Sequence, residues 1–131
     1  MARQRKLERD IRIPLEYGFD DFGGRWKSRI IGAMGYGRQM RYGELRSEIS
    51  GISDTALSAA LKELMIDGMV TREVVSDAPV AVAYSLTEKG ESVIPILHNI
   101  CEWAVRFYPD VAENALDKCK TCPVFHYAGG H

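Results

Sequence analysis

Residues 51–70 read GISDTALSAALKELMIDGMV and combine a helical apolar period with one face of small side chains. The spacing predicts a helix over residues 53–67, in which Ser53 caps the amino end and Gly68 ends the helix. The predicted buried stripe consists of Leu57, Ala60, Leu61, Leu64 and Met65. The opposite face begins with small and polar residues outside this stripe, which leaves it available to enter a groove.

Two further predicted helices precede this segment. The nearer one runs from about Arg41 to Ile49, and the short turn SGIS joins it to helix 53–67. The apolar face of the earlier one consists of Trp26, Ile30, Ala33 and Met34. Two helices joined by a short turn that contains glycine are typical of a helix-turn-helix.

After Gly68 apolar residues recur at every second position. Residues 70–86 alternate around the turn SDAP, which predicts a β-hairpin with one half-buried face. The order of elements predicts an α+β fold, mainly α with a small β-hairpin wing. This is a winged helix-turn-helix with flanking N- and C-terminal dimerisation helices. In such folds the second helix of the motif enters the DNA major groove. A helix face with small side chains suits that position.

The last predicted helix begins with Thr87 as its cap and runs to about Tyr108. Apolar residues cover more than half of its circumference, whereas a helix packed on one core needs a stripe of roughly 100° or more. A second apolar partner is therefore predicted, and a homodimer mate is the simplest one. Pro95 is expected to bend this helix near its first turns. The candidate dimer contacts are Ile94, Leu97, Cys101, Ala104, Val105 and Tyr108.

The 131 residues are 46% hydrophobic and 27% charged, and their net charge is −1. This composition predicts one folded domain. Because there is no overall basic excess, binding to double-stranded DNA has to rest on local groups of cations and polar residues. The candidate DNA contacts are Arg41, Ser53, Thr55, Ser58, Ala59, Lys62 and Arg72. The alternative is an ordinary solvated surface, and it is at least as strong for Arg25, Lys27 and Arg46.

Other function classes receive little support. No apolar run is long enough to span a bilayer and residues 1–12 lack the apolar core of a signal peptide, so a cytoplasmic protein with no membrane partner is predicted. No glycine loop for phosphate, credible carboxylate pair or nucleophile with a base is recognisable, so no enzymatic activity is predicted. The predicted organisation is an N-terminal arm or dimerisation segment (1–21), a DNA-binding domain (22–86), a C-terminal dimerisation helix (87–109) and a tail (110–131).

The predicted tail contains a CxxC motif. Cys119, Cys122 and His126 could bind zinc, which prefers thiolate and imidazole ligands, or the two cysteines could cycle between dithiol and disulfide. The third interpretation is a pair of unremarkable thiols. Apart from this possible zinc, no cofactor is predicted.

Several ordered motifs resemble one family. GGRWKSRII, RYGELRSEISGIS, LSAALKELMIDGMVTR, YSLTEKGESVIPIL and EW together resemble the HxlR family of bacterial winged-helix transcription regulators. The resemblance extends over about residues 22–107. It implies a homodimer formed through the outer helices, which binds operator DNA and responds to stress or to small molecules, so an unknown small-molecule effector is a further possible partner.

The chain also departs from that family pattern. The region IRIPLEYGFDDF keeps the proline of the family's N-terminal cysteine–proline pair but has no cysteine, which excludes sensing through that residue. The second wing strand, PVAVAY, lacks the basic residue and the glutamate that are usual there. A wing with little charge makes fewer phosphate contacts. An alternative function is therefore a winged-helix module that binds a protein partner.

Overall fold

The computed structural model describes residues 13–110. Its elements in chain order are α1 (Pro14–Phe22), α2 (Lys27–Met34), β1 (Met40–Arg41), α3 (Tyr42–Glu48), α4 (Asp54–Ile66), β2 (Val70–Asp77), β3 (Val80–Leu86), α5 (Glu88–Glu91) and α6 (Ile94–Phe107). The predicted α+β winged helix-turn-helix is confirmed: α3 and α4 form the helix pair, and β2 and β3 form the hairpin. No helix in the described range is long and apolar enough to cross a membrane.

Helix α4 begins and ends where the sequence predicts. The Oγ atom of Ser53 accepts a hydrogen bond from the backbone N–H of Ala56 at 3.0 Å, which satisfies one of the unpaired donors at the amino end. At the other end Gly68 adopts a φ of +76°, a conformation that favours glycine. The backbone N–H of Met69 then donates to the carbonyl of Leu64 at 2.8 Å, so the chain turns directly into β2.

One hydrophobic core holds these elements together. Leu57, Leu61 and Leu64 of α4 are at most 2% exposed, and they pack with apolar residues from α2, α3, β3 and α6. Met65, the remaining large member of the predicted stripe, is only partly buried against this core. Burial of one side of α4 leaves its other side at the surface.

The sheet contains a strand that sequence reasoning missed. The strand order is β1-β3-β2, and all pairs are antiparallel. Strand β1 has two residues, too short for an alternating pattern to be visible in the sequence. Arg41 ends β1 and is also the N-cap of α3, so its predicted position at the start of a helix is confirmed.

The predicted half-buried face of the hairpin exists only near its base. Along β3 the side chain of Leu86 is 9% exposed, whereas that of Val80 at the tip is 71% exposed. The pairing of β2 with β3 shifts between Val74 and Ser76, which marks a bulge in β2. The outer half of the wing therefore extends beyond the core.

The predicted single helix from Thr87 to Tyr108 is wrong in one respect, because the chain forms two helices there. α5 ends at Glu91, and Ser92 and Val93 separate it from α6. Pro95 is within the first two residues of α6, where its missing N–H removes no intrahelical hydrogen bond. The bend predicted near Pro95 is thus a complete break between two helices.

Candidate nucleic-acid interface

The exposed face of α4 is built from small and polar side chains. Thr55, Ser58, Ala59 and Lys62 are all exposed, on the side of the helix opposite to its buried leucines. The face of small side chains predicted for this helix is therefore exposed to solvent. It is narrow enough to approach the floor of a groove that is about 12 Å wide.

Two of the predicted hydroxyl contacts already have partners inside the chain. Ser53 is engaged as the cap of α4, and Oγ of Ser58 lies 3.2 Å from the hydroxyl of Tyr42 on α3. The side chains of Thr55 and Lys62, in contrast, form no hydrogen bond or ion pair with any residue in the range 13–110. These two side chains can therefore meet a ligand without breaking an internal contact.

The acidic residue at the amino end of α4 is neutralised locally. Oδ1 of Asp54 lies 3.2 Å from Nε of Arg46 and 3.1 Å from the hydroxyl of Tyr42. Without these contacts the carboxylate would repel a phosphate at the leading turn of the helix. Arg46, which the sequence left between DNA contact and solvated charge, thus has an internal partner.

The two remaining cationic candidates are not brought together. Arg41 pairs with Ala83 on one side of β3, and Arg72 pairs with Tyr84 on the other side. Because successive residues of a strand point to opposite faces, Arg41 and Arg72 lie on opposite faces of the sheet. The backbone N–H of Arg41 also donates to Oε1 of Glu44 at 2.8 Å, so this donor is already used.

Two lysines connect the end of α1 to the end of α4. Nζ of Lys27 lies 2.7 Å from Oε1 of Glu63 and donates to the carbonyl of Asp20 at 3.0 Å. Nζ of Lys89 lies 3.1 Å from Oδ2 of Asp21 and donates to the carbonyl of Asp67 at 2.9 Å. These contacts therefore fix the orientation of α4 from two sides. The ammonium group of Lys27 is used in these internal contacts.

Comparison with known proteins identifies the family. Residues 22–112 match the model of a family described as HxlR-like helix-turn-helix. The chain belongs to the HxlR-like family. The resemblance inferred from the sequence motifs is confirmed.

Relatives of this HxlR-like chain are transcriptional regulators. The HTH-type transcriptional regulator YdzF of Bacillus subtilis is 41% identical over 99 residues, which are 76% of this chain and 91% of that protein. An HTH-type transcriptional regulator of Methanothermobacter thermautotrophicus is 38% identical over 104 residues, 79% of this chain and 78% of the relative. The solved redox regulator HypR, in its oxidized form, matches 70% of this chain and 94% of its own with a TM-score of 0.65 and 37% identity. The protein is thus a transcriptional regulator of the winged helix-turn-helix type.

The wing of this HxlR-like protein is weakly charged and partly apolar. Residues 70–86 contain one cation, Arg72, and two acids, Glu73 and Asp77. The carboxylate of Glu73 accepts a 2.6 Å hydrogen bond from Gln39. Val74, Val75 and Val80 are 54%, 42% and 71% exposed. Such a hairpin offers a phosphate backbone little beyond Arg72.

Helix α6 presents a different apolar face from the one the sequence suggested. Ile94 and Leu97 lie in the core of the chain itself, Cys101 and Ala104 are half-buried, and only Val105 and Tyr108 of the predicted dimer contacts are exposed. The exposed apolar residues are instead Ile96, Ile100, Trp103 and Phe107. This second face is centred roughly 120° around the helix axis from the predicted one. Periodicity could not distinguish the two, because the apolar arc covers both.

The predicted metal or redox site lies outside the described residues. Cys119, Cys122 and His126 all belong to the segment after residue 110. Within residues 13–110 no group of three or more His, Cys, Asp or Glu side chains could hold a metal ion. The zinc and thiol hypotheses stay predictions.

Proposed function

We propose that this HxlR-like regulator is a homodimer that binds operator DNA with α4 in the major groove and the β2–β3 hairpin as its wing. The exposed face from Thr55 to Lys62 carries this proposal. It combines little bulk, an ammonium group with no internal partner within the described range, and a neighbouring carboxylate that is ion-paired with Arg46 and hydrogen-bonded by Tyr42. Lys62 can meet a phosphate or a guanine, and Thr55 a phosphate or a base edge.

The dimer is supported by unburied apolar surface. Ile100, Trp103 and Phe107 of α6 are 50%, 55% and 58% exposed. Contiguous apolar surface of this kind marks contact sites on soluble proteins. A twofold dimer would present two copies of α4 to half-sites about 34–36 Å apart, one turn of the DNA helix.

Binding to duplex DNA as a function of salt tests the proposal. We expect Kd to rise steeply with salt, because phosphate contacts release counterions. Lys62→Ala should weaken binding by about tenfold, whereas Lys62→Arg keeps the charge and should retain most of the affinity. Arg106→Ala removes an exposed cation of α6 that lies over Phe107, so this control is measured at a protein concentration where the variant is dimeric, and there it should leave Kd unchanged.

The pattern over different DNA sequences separates the roles of Lys62. If Lys62 meets a phosphate, Lys62→Ala weakens binding about equally on all duplexes; if it reads a base, specificity relaxes at one position. Equal affinities for wild type and Lys62→Ala would remove α4 as the reading helix.

A second candidate function is favoured by the wing. The exposed valines and the shortage of cations in residues 70–86 suit a protein partner better than a phosphate backbone. In that case binding to random duplexes would be weak and nearly independent of salt. Val80→Lys would discriminate the two: an added cation at the wing tip should strengthen DNA binding if the tip approaches phosphates.

A further inference from the structure

An open cleft lies beside α4. Its volume is about 440 Å³, and it separates the carboxyl end of α1 and the turn at Gly23–Gly24 from one flank of α4. Sites for small molecules usually measure about 300–1,000 Å³, so a ligand with one or two rings fits this space.

The backbone around Gly23 is built tightly at the mouth of the cleft. A Cβ atom on Gly23 would lie 2.6 Å from the carbonyl oxygen of Phe19, so no larger residue fits without a shift of the chain. Gly24 adopts a φ of +82°, which again favours glycine. Because Gly23 and Gly24 have no side chains, this turn leaves the mouth of the cleft open.

The walls of the cleft combine apolar and aromatic side chains with the charged groups of Asp20, Arg25, Lys27 and Glu63. Ala56, Ala59 and Ala60 line it from α4, and Phe19 and Trp26 line it from α1 and the start of α2. Three methyl groups leave a shallow floor along α4. The exposed Phe19 ring provides a flat surface, whereas the guanidinium groups of Arg25 and Arg29 already lie over the Trp26 ring. Flat apolar ligands stack favourably on an exposed ring.

One cation at the cleft is available to an anion. The guanidinium carbon of Arg25 lies 4.7 Å from the centroid of the Trp26 ring, and Arg25 forms no ion pair with any residue between 13 and 110. Lys27 also lines the cleft, but its ammonium group is engaged by Glu63 and Asp20. A guanidinium group can hold a carboxylate through two parallel hydrogen bonds.

We propose that this cleft binds a small planar aromatic carboxylate, with its ring against Phe19 and the alanines of α4 and its carboxylate on Arg25. The carboxylates of Asp20 and Glu63 also line the cleft and would repel an anionic group beside them, so the carboxylate of the ligand is placed at Arg25.

Such a ligand would antagonise DNA, an effect that depends on the proposed function of α4. Ala59 lines the cleft and is also part of the exposed face that we assign to DNA. A ligand over Ala59 occupies space that a groove wall would need. By linkage, the ligand and DNA then lower each other's affinity by the same factor.

Calorimetric titration of the full chain without DNA tests the site. The probes are 2-naphthoate and the neutral 2-naphthamide, which has nearly the same shape. We expect naphthoate to bind at least about tenfold more tightly than the amide, because one charged contact is worth about that much. Arg25→Gln should remove this preference and leave binding of the amide unchanged.

Arg29→Gln is the matched control. The guanidinium of Arg29 also lies over Trp26, at 5.0 Å, but Arg29 does not line the cleft. This variant should keep the preference for naphthoate. The site is overturned if naphthoate does not bind at millimolar concentration, if both probes bind equally, or if the two variants lose the preference alike.

A second titration measures the effect on DNA. Naphthoate should raise the Kd of wild type for duplex DNA and leave that of Arg25→Gln unchanged. If wild type binds no DNA, the proposed function fails while the calorimetric result still decides on the cleft. If naphthoate binds and the Kd for DNA stays the same, the antagonism is wrong.

Discussion

The hydroxyl of Tyr42 lies 3.1 Å from Oδ1 of Asp54, so the first turn of α3 is hydrogen-bonded to the first turn of α4. The same hydroxyl lies 3.2 Å from Oγ of Ser58, one turn farther along α4. One side chain therefore sets the spacing of the two helices and limits the rotation of α4 about its axis. The geometry of the exposed face depends on this contact.

Tyr42→Phe should lower the free energy of unfolding by about 0.5–1.5 kcal/mol, the usual net value of a hydrogen bond. The ring stays packed and Arg46 still neutralises Asp54, so the loss reports the hydroxyl. Chemical denaturation measures it. Tyr84→Phe is the control, because the hydroxyl of Tyr84 has no hydrogen-bond partner between residues 13 and 110, and it should change stability by less than about 0.5 kcal/mol. Equal effects of the two variants would contradict the assignment.

The ion pair of Lys27 with Glu63 should show measurable coupling. Their side chains are 13% and 46% exposed, so a double-mutant cycle with Lys27→Met and Glu63→Gln is expected to give about 0.5–1 kcal/mol, falling with added salt. Arg46 and Asp54 form the comparison pair, with side chains 48% and 66% exposed. Solvent screens that pair more strongly, so its coupling should be smaller; the reverse order would contradict this reasoning.

Gly90→Ala should destabilise the protein by about 2 kcal/mol or more, since overpacking forces backbone shifts. A Cβ on Gly90 collides with the carbonyl oxygen of Met69, which accepts a 3.0 Å hydrogen bond from Thr87 at the junction of the wing and α5. Thermal denaturation measures the loss. Gly43 in α3 is the matched control, because a Cβ there meets no atom within 4 Å. Gly43→Ala should be neutral or slightly stabilising.

Ile100→Glu should weaken self-association at least about tenfold, because it puts a charge into the apolar face of α6. Sedimentation velocity over a concentration series measures the dimer constant. Val80→Glu at the wing tip is the control; Val80 is more exposed than Ile100 but lies outside α1 and α6. A monomeric wild type at micromolar concentration, or an equal loss in both variants, would remove α6 as the dimer contact.

Local spacing was enough to predict α4 and the hairpin. The leucine stripe of α4, its Ser53 cap and its glycine end all act within a few residues, so periodicity and capping chemistry determine them. The same local order of motifs identified the family. The break near Pro95 was anticipated in position and underestimated in extent.

The tertiary structure alone decided which surfaces and charges are available. The apolar arc of α6 is wider than one interface needs, so only packing against the core determines that Ile94 is buried and Ile100 exposed. Likewise, Lys27 and Ser58 look like free surface groups in sequence, and partners 36 and 16 positions away engage them. Sequence periodicity describes one element at a time, whereas burial and ion pairing depend on how separate elements meet. The sequence therefore determined the helix that reads DNA in our proposal, and the fold determined which of its side chains remain available for contact.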